Sequence, residues 1–319
     1  MAAARAYSAG MPSIYTERRP ARTRRVPLRG LNYHLHEWGT ADLATPDRPT
    51  LMLMHGWMDV GASFQFVVDA LDAAGEPPRH IVAPDWRGFG LTDAPAADSY
   101  WFPDYLGDLD ALVDTVSPDR PVDLLGHSMG GNVVMSYAGV RPHRVRRLIN
   151  LEGFGLPRSQ ADDAPGRLTR WLDELKQPMS LRDYADAGEV AARLQANNPR
   201  LSADKAAWLA TRWAQPGPGG RWAILGDPAH KRTNPVLYQA DEVVATWRCI
   251  AAPLLWLEGS ETRVDRWWQG RYTRADFDER LANVADRRCE TLAGAGHMLH
   301  HDQPAALAAL LRPFLDSTT

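Results

Sequence analysis

The chain has 319 residues, of which 45% are hydrophobic and 24% charged, the usual balance of a soluble globular fold. Lysine and arginine number 36 against 39 aspartates and glutamates, a net charge of −3, which excludes a whole-protein basic field for nucleic acid. No apolar run reaches the ~18 residues of a membrane span, the first 30 residues lack the apolar stretch of a secretory signal, and the expected compartment is the cytoplasm. Cys249 and Cys289 are the only cysteines, too few for a disulfide framework or a thiolate metal site; they are expected to be two reduced, buried thiols.

Charge is uneven along the chain. Residues 1–30 hold seven arginines and one acid, Glu17, which leaves 29 basic against 38 acidic residues in the remainder. Because the whole chain prefers arginine to lysine, this bias is not special to the terminus, and residues 1–25 are expected to be a loosely held leader. Beyond it, Leu31–Trp38 alternates apolar and polar residues as a half-buried antiparallel strand does. Short apolar runs then follow at Thr50–Met54, His80–Pro84, Pro121–Leu125, Arg147–Leu151, Pro253–Leu257 and Arg288–Leu292. Most are separated by stretches with helical spacing, which predicts a mostly parallel α/β sheet covered on both faces. The clearest helix is the last, with Asp302 as cap, Pro304 in its first turn and Leu307, Leu310, Leu311 and Phe314 on one face.

Residues 156–239 break the alternation, with helical patches at Arg167–Leu175 and Ala203–Trp213 but no strand run. An insertion after a strand of such a sheet lies over the carboxyl ends of the strands, where α/β ligands bind. The expected organisation is therefore a core of residues 26–155 and 240–319 with a helical cap at 156–239. The cap holds Trp171, Trp208, Trp213 and Trp222, expected chiefly to pack its own small core. Its polar cluster Asp227-Pro228-Ala229-His230-Lys231 with Asn234-Pro235 reads as a solvated hinge.

The strongest chemical signal is Gly126-His127-Ser128-Met129-Gly130-Gly131, between the strand Pro121–Leu125 and a helical pattern. A G-x-S-x-G at a strand-to-helix turn holds its serine in a strained conformation above the sheet. The hydroxyl needs a base, and of ten histidines His297 sits in a glycine-rich loop after the last strand, on the same edge as Ser128. His127 is expected beside the nucleophile, available to the substrate, His55 in a structural role, and His300 and His301 in solvent or capping. Two backbone N–H groups should stabilise an oxyanion, those of Met129 and of Trp57 in the loop after Thr50–Met54. Trp57 can also line the acyl pocket.

His55-Gly56-Trp57, Asp85-Trp86-Arg87-Gly88-Phe89-Gly90, Gly126-His127-Ser128-Met129-Gly130-Gly131 and Gly296-His297, in this order, resemble the α/β-hydrolase fold superfamily over roughly residues 26–315. The resemblance is closest to lidded serine hydrolases that include carboxylesterases and the serine-hydrolase-like branch. It implies an eight-stranded sheet, a helical cap after the sixth strand, hydrolysis through an acyl-enzyme with no cofactor or metal, and a serine, acid, histidine chain order. The usual acid position after the seventh strand is Thr262 here, with Glu261 one residue short. Glu152, at the end of the sixth strand, is the favoured acid, Glu261 the alternative, and Asp265 a more distant one. The resemblance further implies that dehalogenases and epoxide hydrolases carry aspartate where Ser128 stands. The expected substrate is a small ester with an apolar or aromatic group, with the same triad open to thioester, amide or C–C cleavage. A binding protein on the hydrolase fold is the alternative from another class.

Overall fold

The computed structural model describes residues 14–75 and 78–317. In chain order its elements are β1 (Arg22–Leu28), β2 (Leu31–Trp38), β3 (Leu51–Met54), α1 (Gln65–Ala73), β4 (Ile81–Pro84), α2 (Phe102–Val116), β5 (Val122–His127), α3 (Met129–Val140) and β6 (Val145–Leu151). An insertion follows with α4 (Ala164–Leu175), β7 (Asp183–Tyr184), α5 (Ala187–Asn197), α6 (Ala203–Trp213), β8 (Ala214–Pro216) and β9 (Trp222–Ile224). The chain closes with α7 (Ala240–Trp247), β10 (Leu254–Gly259), α8 (Val264–Trp267), α9 (Arg274–Leu281), β11 (Arg287–Leu292), α10 (Leu299–Asp302) and α11 (Pro304–Leu315).

The main sheet has the order β1-β2-β4-β3-β5-β6-β10-β11. Its pairs are parallel except β1 with β2 and β2 with β4. Strand side chains alternate in direction, and here the two sets feed two separate cores. Met52, Met54, Leu124, Leu148, Leu254 and Trp256 pack with α2, α3, α7 and α9. Leu51, Leu53, Leu125, Ile149, Leu255 and Leu257 pack with α1, α10 and α11. Burial on both faces is why these strands are unbroken apolar runs.

Four sequence expectations are corrected in the fold. Residues 1–13 of the leader lie outside the described residues, but 14–25 are not loosely held. Asp69 accepts hydrogen bonds from the Tyr15 hydroxyl and the Arg18 and Arg19 N–H groups at 2.7–3.0 Å, and β1 already begins at Arg22. The insertion contains a three-stranded sheet, β7-β9-β8, whose strands of two or three residues are too short to show a period. Cys249 and Cys289 are exposed, because one lies past the end of α7 and the other on the edge strand β11.

The insertion builds its own core from Tyr184, Val190, Leu194, Trp208, Leu209 and Trp213, joined to Val60, Ala62 and Phe66 of the main domain. Trp208 and Trp213 thus pack as expected of core aromatics. Its polar cluster is not a solvated hinge: the His230 ring is stacked between Phe89 and Tyr100, centroids 3.7 and 3.5 Å away. The Tyr100 hydroxyl donates to Asp227 at 2.8 Å. Among the described residues, no helix is long and apolar enough to cross a membrane.

Candidate active site

Ser128 stands between β5 and α3 with φ +52°, a conformation side chains rarely adopt. Backbone bonds hold it there: its N–H donates to the Leu151 carbonyl at 2.8 Å and its carbonyl accepts from Asn132 N–H at 3.1 Å. The flanking glycines are required by contact. A Cβ at Gly126 would sit 2.3 Å from the Gly130 carbonyl oxygen, and one at Gly130 would sit 2.1 Å from that of Met54.

Above this turn lies His297. Its Nε2 is 3.0 Å from Ser128 Oγ and its Nδ1 is 2.7 Å from Glu152 Oε2. Glu152 is 2% exposed, and its second oxygen accepts the Gly259 N–H at 2.7 Å. Both carboxylate oxygens therefore have donors in a site closed to water, the condition for keeping a buried charge. Such a chain can draw the serine proton to the imidazole while the carboxylate holds the ring tautomer.

The end of β6 is specialised to deliver that carboxylate. Glu152 has φ +54°, and its N–H donates to the Leu257 carbonyl at 3.1 Å. Asn150 Oδ1 accepts the Gly153 N–H at 2.8 Å, and Asn132 Oδ1 accepts the Gly155 N–H at 2.9 Å. Sequence reasoning missed both asparagines; Asn150 carried a signal, a turn-forming Asn shortly before a glycine in Asn150-Leu151-Glu152-Gly153, and Asn132, which follows Gly130-Gly131, carried none. Glu261, the other candidate acid, is exposed and lies 3.9 Å from Arg200. Asp265 accepts the Arg274 N–H at 3.0 Å. Neither makes a hydrogen bond to His297 among the described residues.

The histidine loop is braced from three sides. Asp302, expected as a helix cap, instead accepts the Gly296 N–H at 2.8 Å and, on its other oxygen, the Asn198 amide of the insertion at 2.7 Å. The Trp267 ring meets His297 edge-on at 4.6 Å, a contact with no sequence signal. His127 does not present itself to the substrate: it is 2% exposed, and its Nε2 lies 2.7 Å from the His297 carbonyl. Burial pushes its pKa well below the ordinary value, so it is neutral, and Nε2 carries the proton that the carbonyl accepts. His300 and His301 are likewise buried, at 0% and 3% exposure; they turn beneath the loop, where solvation was expected.

The two expected oxyanion donors flank the serine. Met129 opens α3, where first-turn N–H groups have no acceptor within the helix. Trp57 follows Gly56, whose added Cβ would lie 3.2 Å from Ser128 Cβ, so this loop runs against the nucleophile. Trp57 is 51% exposed. The insertion grips the next residue, since Trp213 Nε1 donates to the Met58 carbonyl at 2.9 Å. Below, His55 Nε2 accepts the Trp86 N–H at 2.8 Å, while Asp85 accepts the Gly61 and Leu91 N–H groups. Arg87 forks onto buried Asp108.

A cleft of about 580 Å³ lies between the insertion and the core. Leu156, Tyr238, Trp268, Arg167, Arg170 and Arg271 are among the residues that line it. Its Trp268 directly follows Trp267.

Among known proteins, the chain is 27% identical over 306 residues to epoxide hydrolase A of Mycobacterium tuberculosis, covering 85% of this chain and 91% of that one. It is 28% identical over 312 residues to a serine hydrolase-like protein of Danio rerio, covering 94% and 90%. The solved thioesterase domain from the curacin biosynthetic pathway superposes with a TM-score of 0.76 at 26% identity, over 92% of this chain and 99% of that domain. The sequence model of the alpha/beta hydrolase fold matches residues 49–304, and the chain belongs to that family.

Proposed function

We propose that this hydrolase cleaves small carboxylic esters through an acyl-enzyme, with Ser128 as nucleophile, His297 as base and Glu152 as the acid. The observation that carries the reading is the unbroken chain from Ser128 Oγ to His297 Nε2 at 3.0 Å and from His297 Nδ1 to Glu152 Oε2 at 2.7 Å. Ser128 attacks the ester carbonyl as His297 takes its proton, and the N–H groups of Met129 and Trp57 receive the charge that develops on oxygen. The protonated histidine returns that proton to the departing alcohol. It then activates water to release the acid. Exposed Trp57 and Trp267, 51% and 42% accessible, offer aromatic faces to an apolar or aromatic substituent.

The nucleophile argues against the chemistry named for the mycobacterial relative. A serine that opened an epoxide would be left as an ether, which water does not readily cleave. An acyl-serine is hydrolysed, so the residue at 128 favours acyl transfer. A second reading, thioester cleavage, draws on the likeness to the thioesterase domain and uses the same steps with a thiol as leaving group.

The test is labelling of the full chain with a fluorophosphonate probe, followed by peptide mass spectrometry. Modification of Ser128, abolished in Ser128→Ala, is expected, and paired ester and thioester panels then separate the two readings. Folded protein that takes no label would sink the nucleophile assignment and favour a binding protein on this fold.

A further inference from the structure

We propose that Asp59, His300 and His301 form a second site on this chain, a three-ligand site for a divalent transition metal such as Zn²⁺. It goes beyond the esterase reading and does not rest on it. The three side chains converge from two parts of the chain, Asp59 from the loop after β3 and the two histidines from α10. All are buried, at 6%, 0% and 3% exposure. Each offers one ligand atom, and the three atoms lie within 4.8 Å of one another.

The spacing suits an ion better than a hydrogen-bond network. Zn–N and Zn–O bonds of about 2.1 Å in a tetrahedron place two ligand atoms roughly 3.4 Å apart. His300 Nε2 and Asp59 Oδ2 are 3.7 Å apart, too far for a sound hydrogen bond but close to that separation. Ser63 Oγ supports the carboxylate by donating to Asp59 Oδ2 at 2.9 Å, the outer contact that ligating carboxylates ordinarily have. Within the cluster His301 Nε2 is buried with no hydrogen-bond partner among the described residues, and His300 Nε2, the nitrogen that faces Asp59, has Ser63 Oγ only at 3.4 Å. A buried imidazole nitrogen left unpaired is costly, and coordination relieves that cost for a nitrogen that faces the ion.

A second cluster shows what a satisfied set looks like. His34, His36 and Asp85 are equally buried and close together. There His34 Nδ1 is 2.8 Å from Asp85 Oδ2, and the two carboxylate oxygens also accept the Gly61 and Leu91 N–H groups at 2.8 and 2.9 Å. No atom of that cluster is buried without a partner among the described residues, whereas His301 Nε2 is. Two imidazoles and a carboxylate, without thiolate, suit Zn²⁺ and its spectroscopic substitute Co²⁺. The ion would sit behind His127, whose ring lies 4.5 Å from His300 and 4.8 Å from His297, and would stiffen the support of the histidine loop.

The test is titration of the chelator-treated full chain with Zn²⁺ by calorimetry and with Co²⁺ by visible absorption. One ion per chain and the d–d bands of a tetrahedral Co²⁺ site are expected. Losing an outer-shell partner alone weakens metal sites about 10–100-fold, so Asp59→Asn and His301→Ala should each weaken binding at least about tenfold. His297→Ala should bind as the wild type does. If His301→Ala does not fold, His301→Phe keeps the ring volume and gives the same reading. Absence of binding to the folded wild type, binding unchanged in the Asp59 and His301 variants, or binding lost in His297→Ala would each overturn the site.

Discussion

The main domain and the insertion are built on different terms. In the main domain Ser128 and Glu152 follow the ends of the buried strands β5 and β6, His297 follows the edge strand β11, and the two positive-φ residues among them are pinned by backbone hydrogen bonds. Such placement tolerates little displacement. In the insertion α5, α6 and a small sheet share a modest core, while α4 buries no residue and leaves Leu168 and Leu172 about half exposed, at 43% and 51%. Direct polar bonds from the insertion into the site loops run from Trp213 to Met58 and from Asn198 to Asp302. The difference teaches a division of labour: the core sets the geometry of Ser128, His297 and Glu152, and the insertion holds the loops that carry Met58 and His297.

The largest expected effect tests the core side of that division. In Glu152→Gln the amide still fills the space but cannot serve as the anion beside His297, which loses both its fixed tautomer and the stabilisation of its cation. A fall in kcat of about 10⁴-fold is expected, from the loss seen when a triad carboxylate becomes an amide. Glu261→Gln touches an exposed ion pair with Arg200 and an exposed contact from Ser260 Oγ and should stay within about twofold, as surface pairs contribute little. Steady-state kinetics on one ester for both variants decides it. Near-full activity in Glu152→Gln would remove Glu152 from the triad.

Much of the core was legible because its physics is local. Strands buried on both faces must be apolar runs, and a serine held at positive φ needs the glycines of Gly126-His127-Ser128-Met129-Gly130 around it. The favoured acid could be named because the chain reaches Glu152 at the end of the strand beside the elbow. What escaped depends on distant partners. β1 reads as a charged leader because only Val26 and Leu28 of its seven residues are buried, and its place comes from pairing with β2. His300 and His301 look like solvent residues until Asp59 and Ser63, some 240 positions away, are brought beneath them. The His230 stack joins the insertion to Phe89 and Tyr100 in the same non-local way.

That stack carries the next prediction, intermediate in size. Burial lowers the His230 pKa from 6.5 to about 4, so the unfolded chain takes up this proton before the folded one. The stabilisation is therefore complete above about pH 6.5 and lost as pH falls toward about 4, a total of roughly 3 kcal/mol. His230→Phe retains a ring between Phe89 and Tyr100 but removes the titrating group. Urea unfolding should show the variant losing less stability than the wild type between about pH 7 and pH 4.5. Equal losses would mean that His230 is not held neutral by the stack.

The smallest effect probes the insertion's grip on the loop of Trp57 and Met58. Trp213→Phe removes the hydrogen bond to the Met58 carbonyl, a contact of about 1 kcal/mol, while leaving an aromatic ring in the insertion's core. Trp208→Phe makes the same substitution in that core but removes instead a bond to Glu17 in the N-terminal segment. If the insertion acts on the site through Met58, Trp213→Phe should slow fluorophosphonate labelling of Ser128 about fivefold, because Trp57, one residue away, no longer has its backbone held. Trp208→Phe should lose comparable thermal stability yet label at the wild-type rate. Equal slowing in both would assign the effect to general loosening of the insertion, and the specific coupling through residue 58 would be abandoned.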